Sequence, residues 1–467
     1  MLLTSGLPPF GWWPLALVGA GVVVGVVDGV ELRQRALVGA AVGIGFLGPG
    51  LAWMTEFHVA GFVLAVVVEA AVFALAVALA PSGRGLTLGL PAVLVAAEAL
   101  RGAWPFGGVP VATLAQTQIG GPLALASRLG GGLAVAALVG ATGVVVSVVA
   151  TRRRRSAVAA AVIVVAGALG GALAPRGEAF AALDVAAVQG GGPRGLRAVE
   201  NPSARGLDAA LAAGEGLGEG VELVVWPENA VTVEGDVADS PAGTRIAALA
   251  RRLGATVVAG VIERAGDRFH NLAVAWAPSG EITGRYEKRQ RVPFGEYIPW
   301  RPVVEQVADV RFVPRDAFVG TGPGLVPTPA GDLGVAISYE VFFARRTRAA
   351  VLAGGEVLLV PTNASSYPTT QMPALELGAA RLRAIETGRT VVQAAPTGFS
   401  AIVGPDGTVR RQSDLGEAAV VAGEVERRRG TTPYTRIGDA PVVALAGLTL
   451  AAAWASERRA LRPRRGR

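Results

Sequence analysis

Long apolar runs fill both ends of this chain, and short ones alternate with polar stretches between them. Residues 13–30, 36–54, 60–80, 86–101, 129–150 and 156–174 are dominated by Ala, Val, Leu and Gly, and a seventh run covers 438–456. A helix needs about 20 mostly apolar residues to cross a bilayer, so each run predicts a membrane-spanning helix. The abundance of Gly and Ala fits helices that pack closely in lipid. The fourth run departs from the pattern, because Glu98 and Arg101 fall near its end. Three residues apart, they share a helix face and pair, either as a structural ion pair at the outer interface or as a polar lip for lipid headgroups.

From residue 184 the period shortens. Short β-branched runs predict strands at Val185–Gln189, Leu223–Trp226, Thr256–Val261, Leu272–Trp276, Leu333–Ile337, Val357–Pro361, Thr390–Ala394 and Ser400–Val403. Ala-rich stretches predict helices at Ser203–Gly214, Ser240–Leu253, Arg345–Ala353 and Ala374–Thr387. This alternation predicts a sheet covered by helices. Arg381, Arg383 and Glu386 on the last of these helices read as structural ion pairs. Three regions result: an N-terminal bundle of about six helices over 1–176, an α/β domain over 177–436, and a final helix with a basic tail over 437–467.

Composition sharpens this picture. The chain has 467 residues, and 17% of them are charged, against about 25% for an ordinary soluble domain; its mean hydropathy is +0.47. The net charge of +7 is no nucleic-acid signal, because Arg152–Arg155 and Arg458–Arg467 flank apolar runs, where membrane topology accounts for them. The basic segments at 31–35, 82–85 and 151–155 are separated by pairs of spans, so they share one face. The positive-inside rule makes that face cytoplasmic. The α/β domain is then extracytoplasmic, and the basic tail returns inside. Residues 6–14, with Phe10, Trp12 and Trp13, read as an interfacial turn where a chain seldom begins, so one more helix upstream is expected. With no Cys and only His58 and His270, disulfides are excluded, and neither a metal site nor a cofactor is expected.

Three segments in the α/β domain carry candidate chemistry. Val224-Val225-Trp226-Pro227-Glu228 is an apolar strand ending in a carboxylate, and Pro227 breaks the ladder there. Tyr286-Glu287-Lys288 leads into a Pro- and Gly-containing loop with Glu296 eight residues beyond the lysine. Ser338-Tyr339-Glu340 follows a buried strand. Each alone also reads as a cap or a solvated loop. Together they give a Glu, a Lys and a nucleophile, in that order, at strand ends.

That order resembles the carbon-nitrogen hydrolase (nitrilase) superfamily. Across essentially the whole chain, the motifs resemble those of its integral-membrane branch, the apolipoprotein N-acyltransferases. The motifs are Pro8 to Pro14, Glu98-Ala99-Leu100-Arg101-Gly102, Val188-Gln189-Gly190, Trp226-Pro227-Glu228, Tyr286 to Glu296, Ser338-Tyr339-Glu340 and Thr432-Pro433-Tyr434. The resemblance implies a helical membrane bundle with a nitrilase-like αββα sandwich outside the cytoplasm, in a multi-pass protein of the cell membrane. It implies transfer of an acyl chain from phospholipid, through an acyl-enzyme, to the N-terminal diacylglyceryl-cysteine of a lipoprotein, by a monomer. It maps Glu228 to the general base, Lys288 to oxyanion stabilisation, Glu296 to an accessory carboxylate and Ser338 to the nucleophile. Tyr339, Glu340 and Asn363 map to accessory or substrate-binding positions.

Two departures stand out. The family's nucleophile is Cys, and a Ser hydroxyl is less acidic and depends more on a base. Ser338 is thus compatible with a working nucleophile, an inactive homologue that binds lipid or a partner, or an engineered replacement. A release of acyl groups to water, by an amidase or esterase, is a further alternative. Second, the family's Trp after Val-Gln-Gly corresponds to Ala198 in a Gly-rich stretch. Lateral access for phospholipid calls for a site mouth facing the bilayer; Phe294, Tyr297 and Trp300 are candidates for its apolar wall, or else they pack the domain core.

Overall fold

The computed structural model describes residues 1–56, 58–148, 154–192, 203–218, 220–306, 309–311, 313–367 and 369–461. Ala198, Arg152 and Arg153 of the Arg152–Arg155 run and the end of the basic tail lie outside these. The chain forms two compact units: Met1–Pro175 with Thr432–Arg467, and Arg176–Thr431. The second boundary falls earlier than the sequence predicts. Thr432 caps a helical turn over Pro433–Ile437 by accepting from Thr435 N at 3.1 Å, and Tyr434 of that turn donates to Asp439 Oδ1 at 3.0 Å. These contacts fold the turn onto the start of the last helix.

The first unit is helical: α1 (Trp13–Val27), α2 (Leu32–Gly50), α3 (Val59–Leu79), α4 (Leu86–Arg101), α5 (Ser127–Val146) and α6 (Arg154–Leu173), with α11 (Ala440–Leu461) returning at the end of the chain. Each expected span contains a helix, with α5 broken by non-helical backbone at Gly130 and Gly131. Four stretches are long and apolar enough to cross a membrane: Val59–Leu79, Pro122–Val146, Arg154–Leu173 and Ala440–Arg459. The other three fall short of that measure. Helix α1 has 15 residues and α4 has 16, while α2 carries Arg33, Gln34 and Arg35 in its first turn. Helices α2 and α3 approach closely, and a Cβ on Gly43 would lie 2.6 Å from Ala70 Cα; a small residue there is what lets the backbones meet. Arg101 pairs with Glu98 at 3.0 Å as expected, and with Glu69 of α3 at 2.5 Å, which was not anticipated. Its remaining donors reach the carbonyls of Val111 and Ala112. Helix α11 is fixed to the α3–α4 turn, where Trp454 Nε1 donates to Leu79 O and Glu457 accepts from Gly85 N, both at 2.9 Å.

The second unit is a two-sheet sandwich. One sheet runs β14 (Ala419–Arg429), β1 (Glu178–Gln189), β2 (Leu223–Val225), β4 (Thr256–Ala265), β5 (Arg268–Trp276), β6 (Ile282–Glu287), with β3 (Val231–Glu234) on β4 and β7 (Asp316–Ala317) on β5. The other runs β13 (Val409–Gln412), β12 (Ala401–Val403), β11 (Val391–Ala394), β10 (Val357–Pro361), β9 (Gly331–Val335), β8 (Leu325–Thr328). Helices α7 (Ser203–Glu215) and α8 (Pro241–Leu253) pack on the first sheet, and α9 (Ala344–Leu352) and α10 (Gln371–Thr387) on the second.

The strand period of two sorts the side chains. On β2, Leu223 and Val225 enter the core between the sheets with Leu333, Val335 and Leu359. Val224 and then Trp226 point the other way, into the layer of Leu211, Ile246 and Leu249. Both faces of the central strands are therefore covered, which is why they read as continuous apolar runs. The parallel neighbours β1, β2 and β4, and β9, β10 and β11, run the same way within their sheets. Strand β9 ends at Val335, two residues before the expected Ile337. On α10, Arg383 pairs with Glu386 at 3.2 Å as expected, but Arg381 donates to the Gly407 carbonyl at 2.8 Å rather than to a carboxylate.

Candidate active site

Glu228, Lys288, Ser338 and Thr362 all follow the last residues of strands: β2, β6, β9 and β10 respectively. Loops at strand ends are freed from the ladder while the sheet holds their bases rigid. After β2, Trp226 N still donates to Val258 O, and Pro227 then turns the chain over Gly260. A Cβ on Gly260 would overlap the Pro227 carbonyl oxygen and lie 2.5 Å from Glu228 Cα, so only glycine lets this segment pass.

Lys288 is buried, 2% exposed, with Nζ 2.8 Å from Glu228 Oε1 and 2.7 Å from Glu296 Oε1. Asn271 Nδ2 donates to the same two oxygens at 2.8 and 2.9 Å. Glu296 Oε2 accepts from Val292 N at 2.7 Å, which closes its loop. Burial alone would lower the Lys288 ammonium; the carboxylates of Glu228 and Glu296 outweigh it and hold the pKa above the usual lysine value. Burial raises the Glu228 carboxyl, with Lys288 opposing. The result is a fixed, dry ammonium flanked by two carboxylates.

Ser338 begins a 3₁₀ turn over Ser338–Phe342 and has a left-handed backbone, φ +48°. A non-glycine residue there costs about 1–3 kcal/mol and is kept where the surroundings impose it. Glu340 imposes it here. Fully buried, it accepts from Ile337 N at 2.9 Å, from Arg289 N and Gln290 N at 3.0 Å, and from Tyr286 OH. Burial, then the Glu340 charge, push the Tyr286 phenol above its ordinary pKa. The Glu340 carboxylate thereby holds the lysine loop against the serine turn.

The Ser338 hydroxyl donates to Glu376 Oε1 on α10 at 3.2 Å, and Thr362 Oγ1 lies 3.4 Å from Ser338 Oγ while also donating to Glu376. Glu376 is 2% exposed. Burial is the largest cause that pushes its carboxyl up to about 7; the nearby Glu228 charge adds to this, while Thr362, Ser338 and Lys288 oppose. Sequence reasoning missed Glu376, Thr362 and Asn271. Tyr339 packs edge-on to Phe343, with ring centroids 5.0 Å apart. Asn363 accepts from Ser365 N and Oγ, shaping the loop after β10. Phe294 and Trp300 are 43% and 71% exposed and so are not core residues; Tyr297 lies under the Arg291 guanidinium, 4.0 Å from its ring centre. Among the described residues, no group of three or more His, Cys, Asp or Glu is arranged to hold a metal ion.

A four-layer α/β sandwich with a buried Glu–Lys–Glu cluster and a serine turn at its strand ends defines a carbon-nitrogen hydrolase scaffold. The model of the carbon-nitrogen hydrolases matches residues 184–433, and that of the apolipoprotein N-acyltransferase N-terminal domain matches 1–145. The chain belongs to the carbon-nitrogen hydrolase family, in its apolipoprotein N-acyltransferase branch. It is 32% identical to the apolipoprotein N-acyltransferase of Mycolicibacterium smegmatis over 56% of this chain and 46% of that one. The alignment thus spans about half of that relative. It is 26% identical to the apolipoprotein N-acyltransferase of Vibrio vulnificus over 98% of this chain and 96% of that one. Saccharomyces cerevisiae Nit3, of the nitrilase superfamily, superposes with a TM-score of 0.41 at 17% identity, covering 54% of this chain and 92% of that one.

Proposed function

We propose that this chain is a membrane-bound, phospholipid-dependent N-acyltransferase that uses Ser338 to acylate the N-terminal diacylglyceryl-cysteine of lipoproteins at the cell membrane. The observation that carries the reading is the buried Glu228–Lys288–Glu296 cluster, formed by residues 60 and 8 positions apart in sequence. A fixed ammonium between carboxylates supports acyl transfer, because it offers a preorganised charge to a developing oxyanion at no reorganisation cost.

The chemistry runs in two halves. Ser338 Oγ attacks the ester carbonyl carbon of the donor, and its proton passes to a carboxylate. The oxyanion is held by Lys288 and collapses, the ester C–O bond breaks, and the lysophospholipid leaves with a proton. The free α-amino group of the acceptor then attacks the acyl-serine ester. Glu228 takes the amine proton, and the serine oxygen leaves protonated. Glu296 and Asn271 keep Lys288 and Glu228 in register throughout. The exposed Phe294 and Trp300 side chains are suited to contact acyl chains.

The test is to incubate the purified protein with phospholipid carrying a labelled acyl chain and map the adduct by mass spectrometry. Acyl-Ser338, and its transfer to a diacylglyceryl lipopeptide, is expected. Ser338→Ala removes the adduct, while Ser338→Cys keeps or raises it, since a thiol beside Lys288 ionises more readily. No adduct in either the native protein or Ser338→Cys would leave a lipid- or partner-binding homologue. An adduct lost only to water would mark an esterase.

A further inference from the structure

The Ser338 hydroxyl is hydrogen-bonded to Glu376, 3.2 Å away, and not to Glu228, whose Oε1 is taken by Lys288 Nζ and Asn271 Nδ2. From this geometry we infer that Glu376 is a second general base, which takes the Ser338 proton as the acyl-enzyme forms and leaves Glu228 to serve the acceptor amine. The inference rests on Ser338 being the nucleophile.

A base for a hydroxyl must lie within hydrogen-bond reach of the proton it removes and titrate near the working pH. Glu376 meets the first condition directly, and burial brings it to the second. It is held in place as well: Thr362 donates to the same Oε1, and the helix that carries it is buried along its length. The charged groups acting on it are Glu228 and Lys288. Glu340, in the turn packed on the same helix, is committed to Tyr286 and three backbone N–H groups. Arg346 on α9 donates to Tyr286 OH and Gly322 O. Strands β11 and β12 bring no titratable side chain. A serine in place of a thiol needs such a base, because its hydroxyl does not ionise beside a lysine as a thiol does.

The balance is simple. Oγ–H breaks and its proton joins a Glu376 oxygen, the Oγ–C bond forms, and after collapse the lysophospholipid oxygen takes that proton back. The carboxylate is regenerated before the amine arrives.

Labelling of the full chain in detergent with a fluorophosphonate reads serine activation independently of phospholipid turnover: Oγ bonds phosphorus, fluoride leaves, and the proton goes to the base. The native rate is expected to rise with pH through about 7 and then level off. Glu376→Gln should label at least about 100-fold more slowly, with a flat profile, and Glu376→Asp should recover part of the rate. In the Ser338→Cys background, Glu376→Gln should cost less than about tenfold in acyl-adduct formation, because the thiol ionises without it. Equal labelling of the native protein and Glu376→Gln, or no labelling of the native Ser338, would overturn the inference. An equally large loss in the cysteine background would make Glu376 structural and overturn it too. Glu376-dependent labelling without phospholipid turnover would leave the base in place and sink the acyltransferase reading instead.

Discussion

Tyr286 OH donates to both carboxylate oxygens of Glu340, at 2.9 and 3.0 Å, and so ties the end of β6 to the turn after β9. The lysine loop and the serine turn thereby come from different sheets yet share one buried carboxylate. Glu340→Ala strips the phenol and three backbone N–H groups of their acceptor. Each buried group left unsatisfied costs about 1–3 kcal/mol. The expected outcome is a clear drop in the thermal midpoint of the α/β unit, followed by intrinsic tryptophan fluorescence, with acyl-adduct formation lost in step. An unchanged midpoint would show that the anchor is dispensable.

Gly260→Ala tests placement without changing Glu228, Lys288 or Ser338. The added Cβ meets the Pro227 carbonyl and Glu228 Cα, so the Glu228 carboxylate moves. A displacement of about 1 Å at a reacting group costs on the order of 100-fold. Transfer to the lipopeptide should fall by about that factor while the circular dichroism spectrum is retained. Full activity in this variant would separate Glu228 from the reaction.

The raised Glu376 pKa has a stability consequence whose sign is fixed. A carboxyl whose folded pKa lies above its unfolded value favours folding below the unfolded pKa, and that advantage is lost as pH rises through the folded pKa, here about 7. At pH 8 the native protein therefore carries a buried charge that Glu376→Gln does not. The variant's thermal midpoint relative to native should rise between pH 5 and pH 8, by an equivalent of roughly 3 kcal/mol. A pH-independent difference would mean that Glu376 titrates normally.

In the helical unit, Arg101 is 1% exposed and serves Glu69 and Glu98 together. Arg101→Leu leaves two buried carboxylates without their cation, which costs about 3–5 kcal/mol. Poor recovery of folded protein from membranes and a lowered midpoint are expected. Arg101→Leu combined with Glu69→Gln and Glu98→Gln should recover most of the loss.

The basic segments predict opposite sides for the α/β unit and the C-terminus. Reporters fused near Gly218 and after Arg467 should therefore give opposite compartment signals, and matching signals would reverse the assignment.

Much of this architecture was legible because burial on both faces leaves uninterrupted apolar runs such as Val357–Pro361, whose bounds match the strand found. Strands β6 and β14 were not read, because exposed polar residues such as Arg285 and Glu424 break their apolar runs. Glu228, Lys288 and Glu296 were found through motif order, and their hydrogen-bonded cluster is a contact across the fold. Glu376 escaped for a definite reason. Its helix is buried on every side, so no polar stripe marks the face that holds it, and its partner lies 38 residues away. Asn271 sits one residue before a predicted strand, and Thr362 one residue after another. In both cases the side chain that matters lay just past the signal.

The first and last strands of the α/β unit pair with each other, Glu178 opposite Arg429 through Gln189 opposite Ala419. The chain therefore enters and leaves this unit through one neck, like a bead strung into the helical sequence. The ribosome must finish the bead before α11 exists, so the helical unit stays one member short throughout that synthesis. The contacts of Trp454 and Glu457 with the α3–α4 turn can form only once α11 has been made. Biogenesis thus has a fixed order, in which the helical unit is completed only after the α/β unit has been made.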